Sequence, residues 1–488
     1  MNSEDEGRKA ASTPSLLEDE SRGGDTGEGG IAFQAEVVLS YIPKWLRMEG
    51  FTSMVRESIG DTEAKFFVPG RRYKKEFLEV KNHQVPPAEF WQEIERFRRV
   101  DAGAPGEYQW FTLASASLSQ DLHPLVNGLR RLRDPYDFYD DSVVMDNSYR
   151  DYVRIVEKRG KSEEEAEFLY KKVLLVDDLS QNRSYGRAVF KQSFRDNLPH
   201  YADLPDRVLD DIYASLATFV QSRRNQTITR IELEQNIRDR VPAGLQSPPQ
   251  PVRIHTAISD DEQDADRTEL QFRWAPFFGG DSHDYPPPSE WNSRLLMELS
   301  ETKAWILKNR ASRRIALSGN RRLSTSLVLG SVFSAVAGFS VEMMYRGGVI
   351  WATDDHPAAD TPEYPLSSSG LSADNTGNRM VVSVSIVRDI ANEVIGSLEH
   401  HGLREMPSIH IRGENPIVSP QQANLAVRGI KDIISDALSS VGARQIDLFF
   451  AGPAFLALFL GHRLNATAPV QCYEWVQPGL YVPTCLLY

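Results

Sequence analysis

Apolar and aromatic side chains recur at Phe33, Val37, Tyr41 and Trp45, with Val38 and Ile42 beside them. That spacing predicts a helix with one buried stripe. Gly50 closes the connection, and Phe51 to Glu57 and Glu63 to Val68 read as strands. Pro69-Gly70-Arg71-Arg72 reads as a turn, and Glu76 to Lys81 as a third strand. Phe90, Ile94 and Phe97 mark a second helix, and Tyr108 to Ala114 a fourth strand. The predicted order is αβββαβ. Further on, Glu163 to Leu175 and Leu204 to Val220 are the clearest helices of a charged helical stretch.

From about Thr268 the pattern changes to short β-rich apolar runs alternating with amphipathic helices, as in an α/β domain. Strands are expected at Arg314 to Ser318, Phe339 to Tyr345, Gly348 to Thr353, Met380 to Ile386, Ser408 to Ile411, Gln445 to Phe450 and Val470 to Trp475. Helices are expected from Leu323 to Val336 and from Ile390 to His400. Ser419-Pro420 has the form of an N-cap followed by proline in the first turn. The longest apolar run, Leu448 to Leu460, is broken by Gly452-Pro453. It is too short to cross a bilayer and reads as a buried strand, a turn and a buried helix.

The 488 residues exceed one ordinary core, so several domains are expected. Residues 1–29 are polar and read as a disordered tail, 30–133 as a compact unit, 134–267 as a helical region and linker, and 268–488 as the α/β domain. The segment Asp354 to Asn378 reads as a long mobile loop. Two cysteines, Cys472 and Cys485, exclude a disulfide framework and suit a reducing cytoplasm. The net charge of −13 argues against a surface coated for nucleic acid. Local basic clusters remain: Lys65, Arg71, Arg72, Lys74 and Lys75; Arg96, Arg98 and Arg99; Arg130, Arg131 and Arg133. For any single cluster, solvated surface charge is the commoner fate.

Candidate chemistry sits in the first unit. Side chains alternate along a strand, so Glu79 and Lys81 share a face and Val80 takes the other. A hairpin would bring Asp61, after Gly60, beside Glu79. Two carboxylates can hold Mg²⁺ or Mn²⁺ with open water positions, and a lysine can steady the attacking water and the developing charge. An isolated Glu-x-Lys is a weak signal, because most copies are exposed strand ends. Here the Gly-Asp, the apolar Phe77-Leu78 and the αβββαβ order accompany it. Together they resemble the PD-(D/E)xK nuclease superfamily, although Gly60 rather than proline precedes Asp61. The resemblance implies a restriction-endonuclease-like core with catalytic Asp61, Glu79 and Lys81, and Asp61 and Glu79 on the metal. Glu57 and Glu63 are close enough to compete for the metal, and Gln34 fills a position that joins the site in related enzymes.

The second half carries another resemblance. Its segments are Leu317-Ser318-Gly319-Asn320, Phe449 to Ala454, Leu460-Gly461, Val470 to Glu474 and Tyr481-Val482-Pro483. They look like a SAVED domain, which implies two fused CARF-like Rossmannoid units that bind a cyclic oligonucleotide made by a CD-NTase. Ligands of open α/β sheets sit beyond the carboxyl ends of strands. The residues placed there are Ser318, Gly319, Asn320, Arg321, Arg322, Ser385, Arg388, Gly452 and Pro453. Tight turn geometry accounts equally well for the glycines, and a surface role is commoner for Arg388. Trp351 reads as core, and His400 and His401 as exposed residues at a helix end.

The two halves together resemble a CBASS anti-phage effector. This implies a cytoplasmic, metal-dependent endonuclease that cuts double-stranded DNA when a cyclic tri- or tetranucleotide binds and drives homo-oligomerisation, with no membrane partner. Two other functions are weighed: a receptor that has lost its chemistry, and an enzyme that degrades the nucleotide. The second finds no obvious histidine or acid pair in the sensor.

Overall fold

The structure is a computed structural model that describes residues 28–133, 142–177, 179, 183–259, 268–279, 284–345, 348–370, 377–465 and 467–488. The expected tail lies almost wholly outside the described residues. The chain divides into two compact units, Met1–Pro248 and Pro249–Tyr488.

The first unit opens with the expected order: α1 (Glu28–Arg47), β1 (Phe51–Arg56), β2 (Thr62–Val68), β3 (Arg72–Val85), α2 (Pro87–Gly103) and β4 (Tyr108–Leu118). Strands β1, β2 and β3 run antiparallel, and β4 joins β3 in parallel. The helices α3 (His123–Arg133), α4 (Ser142–Glu157) and α5 (Glu163–Lys172) follow, then β5 (Val173–Val176), α6 (Arg183–Asn197), α7 (Asp206–Ser222), β6 (Thr227–Thr229) and α8 (Arg230–Arg238). Capping boxes at Ser162/Glu165 and Thr229/Glu232 start α5 and α8.

The stretch expected as a separate helical region is built into this unit. β5 and β6 occupy the two edges of a six-stranded sheet ordered β5-β4-β3-β2-β1-β6. Leu174 and Leu175, expected in a helix, pair with β4 instead. On one face of the sheet the stripe of α1 packs with Phe190 and Phe194 of α6 and Leu209, Ile212 and Leu216 of α7. The other face buries Phe77, Phe90, Phe97 and Phe111 with Leu125, Leu129 and Tyr152. Covering both faces explains why β3 and β4 alternate little in polarity at their centres.

The second unit begins earlier than residue 268. β7 (Val252–Ala257), expected within a linker, lies inside a five-stranded sheet. Its Val252 and Ile254 are fully buried. Flanking prolines at 248, 249 and 251 disguise the strand in the sequence. β8 (Leu270–Arg273), the short α9 (Pro288–Glu290), α10 (Met297–Asn309), β9 (Arg314–Gly319), α11 (Leu323–Val332), β10 (Ser340–Met344) and β11 (Ile350–Ala352) complete this half, with order β11-β10-β9-β7-β8. All neighbours are parallel except β10 and β11.

A second α/β half follows: β12 (Ser367–Ser369), β13 (Arg379–Ile386), α12 (Ala391–Leu398), β14 (Ser408–Gly413), α13 (Pro420–Val441), β15 (Gln445–Ala451), α14 (Ala454–Arg463), β16 (Val470–Gln477) and β17 (Leu480–Leu487). Its sheet order is β12-β14-β13-β15-β16-β17. Ser419 caps α13 by accepting the Gln422 N–H at 3.1 Å. The apolar run at 448–460 is a buried strand, turn and helix, as its pattern indicates. Part of the loop after β11 is pinned: Tyr364 is buried, its hydroxyl donates to Asn415 O at 2.6 Å, and β12 pairs with β14. Residues 371–376 of that loop lie outside the described residues.

The two halves meet where α11 crosses α14. Gly330 and Gly461 let the backbones touch. A Cβ on Gly330 would lie 2.6 Å from His462 N, and one on Gly461 2.9 Å from Leu327 C. His462 locks the crossing through Nδ1, which donates to Phe333 O at 2.6 Å.

Candidate functional site

The first cluster forms where the turn before β2 meets β3. Gly60 lies against the Phe77 ring; a Cβ there would come within 2.6 Å of Phe77 Cε1. Only glycine permits that approach. The turn delivers Asp61 to β3, where its Oδ2 accepts the Val80 N–H at 2.7 Å. Glu79 and Lys81 share one face, with Lys81 Nζ 3.0 Å from Glu79 Oε1. The three residues expected together are together.

Three further residues complete the cluster. Gln34 of α1 donates Nε2 to Asp61 Oδ1 at 2.9 Å. Glu93 of α2 lies 2.7 Å from Lys81 Nζ, and Arg96 Nη1 lies 3.1 Å from Glu79 Oε2. Glu93 and Arg96 face the site because they stand one turn apart on α2. The sequence offers only that spacing as a signal, and its basic cluster sets Arg96 with Arg98 and Arg99. Arg96 is 8% exposed, so it does not join Arg98 and Arg99 in a surface cluster. Glu57 pairs with Arg224, and Glu63 accepts from Ser58 and Tyr108, both at 2.6 Å. Glu63 is thereby committed elsewhere, whereas Glu57 keeps Oε1 buried with no hydrogen-bond partner among the described residues.

Burial and the neighbouring Glu79 carboxylate push the Asp61 carboxyl well above its ordinary range. Burial pulls the Lys81 ammonium down, but Glu79 and Glu93 more than reverse that, so it stays protonated. Asp61, Glu79 and Glu93 gather around Lys81 and Arg96, and a further cation at this place would favour the ionised form of Asp61. Gln34 Oε1 is buried with no hydrogen-bond partner among the described residues. It adds a third oxygen to the Asp61 and Glu79 pair, a set that suits a hard divalent ion. Among the described residues no three His, Cys, Asp or Glu side chains form a ready metal cage. Water or substrate would fill the remaining positions.

In the second unit the strand-end residues divide. Ser318 and Gly319 end β9 beside His255 and Thr256 of β7. Gly319 has φ +75°, and a Cβ would fall 2.8 Å from His255 Cε1. Ser318 Oγ meets His255 Nδ1 at 2.9 Å and donates to Glu269 at 3.1 Å. A histidine and an acid therefore do meet here, contrary to expectation, because a parallel strand hidden in the supposed linker supplies the histidine. His255 Nε2 is buried beneath Gly319 with no hydrogen-bond partner among the described residues. Arg321 turns inward: Nη1 donates to Ser318 O and Gly319 O, both at 3.2 Å, and burial lowers its pKa to about 10. Ser385 is buried and accepts the Ile390 N–H at 3.1 Å, a structural role. Asn320 is exposed, and Gly452 and Pro453 lead into α14, with Pro453 as its N-cap.

Arg322 and Arg388 are linked by aromatic residues that the sequence reading did not select. The Arg322 guanidinium lies 4.3 Å from the Phe278 ring centre and 4.4 Å from that of Tyr285. Tyr285 donates its hydroxyl to Trp475 O at 3.3 Å, and Arg388 lies 5.4 Å from the Trp475 ring centre. Trp475 is 38% exposed, and Glu393 receives both its indole N–H and the Arg388 ion pair. A partly exposed indole with Arg388 beside it offers a stacking face and a phosphate donor in one place. Trp351, in contrast, is core, packed on Tyr345 and Phe455. His400 is exposed as expected, whereas His401 is half-buried against Tyr473 and bonded to Tyr481 O at 2.8 Å.

Residues 298–487 match the SAVED family, described as an SMODS-associated sensor domain fused to various effectors. The second unit thus carries a SAVED domain over those residues. Over 479 residues it is 27% identical to CD-NTase-associated protein 4 of Moraxella osloensis, covering 97% of this chain and 99% of that one. It is 26% identical over 480 residues to CD-NTase-associated protein 4 of an Acinetobacter species, with coverage of 97% and 99%. The fold is similar to that of the Acinetobacter baumannii Cap4 SAVED/CARF-domain containing receptor with 3'3'3'-cAAA: TM-score 0.81, 23% identity, 95% of this chain and 99% of that one. The Moraxella osloensis Cap4 receptor gives a TM-score of 0.77 at 24% identity, covering 95% and 100%. Among the described residues, no helix is long and apolar enough to cross a membrane.

Proposed function

We propose that this chain is a cytoplasmic CBASS effector. Its SAVED domain binds a cyclic oligonucleotide made by a CD-NTase, and its first unit then hydrolyses double-stranded DNA with Mg²⁺ or Mn²⁺. One observation carries the enzymatic half: the Val80 N–H fixes Asp61 onto the strand that bears Glu79 and Lys81. The sensor half is supported by the SAVED match and by two similar structures that hold the cyclic trinucleotides 3'3'3'-cAAA and 2'3'3'-cAAA.

The residues divide the work. Asp61, Glu79 and the Gln34 amide oxygen would hold the metal, which when bound lowers the pKa of a water and offsets phosphate charge. Glu79 is held from behind by Arg96. Lys81, protonated and steadied by Glu93, would orient the attacking water and stabilise the charge that builds on the phosphate. Arg322, Arg388 and Trp475 would receive the phosphates and a base of the activator.

A nuclease loose in a cell would destroy the host genome, so the resting population must be nearly inactive. Moving a population from 1:99 to 99:1 takes about 5.5 kcal/mol of preferential binding. Ligand-driven homo-oligomerisation, which sets several nuclease units along one duplex, is the proposed route. The test incubates purified protein with plasmid, Mg²⁺ and each cyclic trinucleotide, follows mass by light scattering, and assays the nucleotide for degradation. Ligand-dependent cutting that Lys81→Ala abolishes, with a rise in mass and intact nucleotide, is expected. Wild-type cutting by Lys81→Ala would sink the active site; activation without a mass change would leave a monomeric release model.

A further inference from the structure

A cavity of about 220 Å³ lies at the end of α14 remote from Gly452-Pro453. The ten residues of α14 separate the two places by about 15 Å. Its charged lining is Arg428, Lys431, Arg463 and Asp432, with His356 beside them. Arg428 and Lys431 share a face of α13 because they are three residues apart. Arg463 comes from the last turn of α14, and His356 from the segment after β11.

The walls are built and tied. Asn424 donates Nδ2 to Ala352 O and Asp355 O, each at 3.1 Å. Arg463 Nη2 donates to Thr353 O at 3.1 Å. These bonds hold the segment after β11 against both helices. The cations are not neutralised: among the described residues Arg428, Lys431 and Arg463 form no ion pair, and only Asp432 brings negative charge to the lining. In a chain of net charge −13, three crowded cations with one exposed carboxylate are a repulsive arrangement that an anion would relieve. Burial, and to a smaller extent Arg428, also lowers the Arg463 pKa.

We propose that this cavity is a phosphate-binding site, separate from the strand-end loops, that takes inorganic phosphate or the phosphate of a mononucleotide. Size sets the class. The volume is below the ~300–1,000 Å³ usual for a drug-sized ligand, so a phosphate group enters and any nucleoside stays outside. Guanidinium and ammonium donors match phosphate oxygens with charge-assisted hydrogen bonds.

The test uses the full chain in a low-salt buffer without phosphate, titrated calorimetrically with potassium phosphate, with AMP and with adenosine. Phosphate or AMP is expected to bind, and adenosine is not. AMP binding tighter than phosphate identifies a nucleotide as the source; equal affinity identifies the free ion. The double variant Arg428→Gln/Lys431→Gln should weaken binding at least about tenfold. Arg428→Gln alone should give a smaller loss, and Arg388→Gln none. Without anion, the double variant should melt no lower than wild type, because it removes repulsion. Absence of binding by both anions overturns the proposal. So does an unchanged affinity in the double variant, or a loss caused by Arg388→Gln instead.

Discussion

Replacing Gly330 with alanine tests the seam between the two halves of the sensor. By helix propensity alone the change should stabilise α11 by about 1 kcal/mol. The crossing predicts the opposite. A methyl at Gly330 would stand 2.6 Å from His462 N and 3.0 Å from Gly461 C, and closer still to Leu458 O, where ordinary contact begins at 3.4 Å. The obstacles are backbone atoms of α14 and cannot rotate away. The helices would have to part by ~1 Å, and the His462–Phe333 bond would stretch with them. The expected net loss is about 1–3 kcal/mol, the usual cost of overpacking. For a unit of this size that lowers the melting midpoint by about 2–12 °C. Differential scanning calorimetry of the full chain measures it. Gly396→Ala is the control, because the nearest atom to its new methyl is Gly479 Cα at 4.0 Å. That variant should hold or gain stability. A Gly330→Ala midpoint equal to or above wild type would show that the helices do not meet as described.

Four further outcomes follow from the same structure. Asp61→Asn and Glu79→Gln, like Lys81→Ala, should abolish DNA cleavage yet leave trinucleotide affinity unchanged by calorimetry. Gln34→Leu should raise the Mg²⁺ concentration for half-maximal cleavage about tenfold, the loss expected for a site partner; an unchanged metal titration would remove Gln34 from the site. Trp475→Ala should weaken trinucleotide binding by about 1–3 kcal/mol, as for loss of a stacking face, and Trp475→Phe should restore most of it. Burial lowers the His462 pKa to about 4 from an ordinary 6.5. Its contribution is therefore full above pH 6.5 and is lost as pH falls toward 4, on the order of 3 kcal/mol. His462→Gln should melt with a flatter acid profile across that window, and an acid loss equal to wild type would refute the assignment.

The sequence carried the first site further than the second for a physical reason. A strand fixes side chains at a period of two, so Glu79 and Lys81 had to share a face once β3 was recognised. Gly60-Asp61 had one geometric use before β2. Gln34, Glu93 and Arg96 depend on how α1 and α2 rotate about the sheet, which periodicity resolves only to a broad stripe. At strand ends even that guide is lost. Arg321 and Arg322 are adjacent, yet one turns onto backbone carbonyls and the other stacks on Phe278 and Tyr285. Ser385 spends its hydroxyl on Ile390, which no local pattern announces. β5, β6 and β7 were missed because four-, three- and six-residue strands beside prolines or helices carry too few alternations to register.

The placement of β5 and β6 at the two edges of the first sheet decides where this chain can be cut. Trimming at residue 133 would leave every residue of the carboxylate cluster in the fragment. It would also strip β4 and β1 of their outer neighbours and bare the side of α1 that α6 and α7 cover. Two open strand edges beside an uncovered apolar helix are a template for aggregation. A fragment meant to carry this cluster in a fully paired sheet therefore has to run to Pro248.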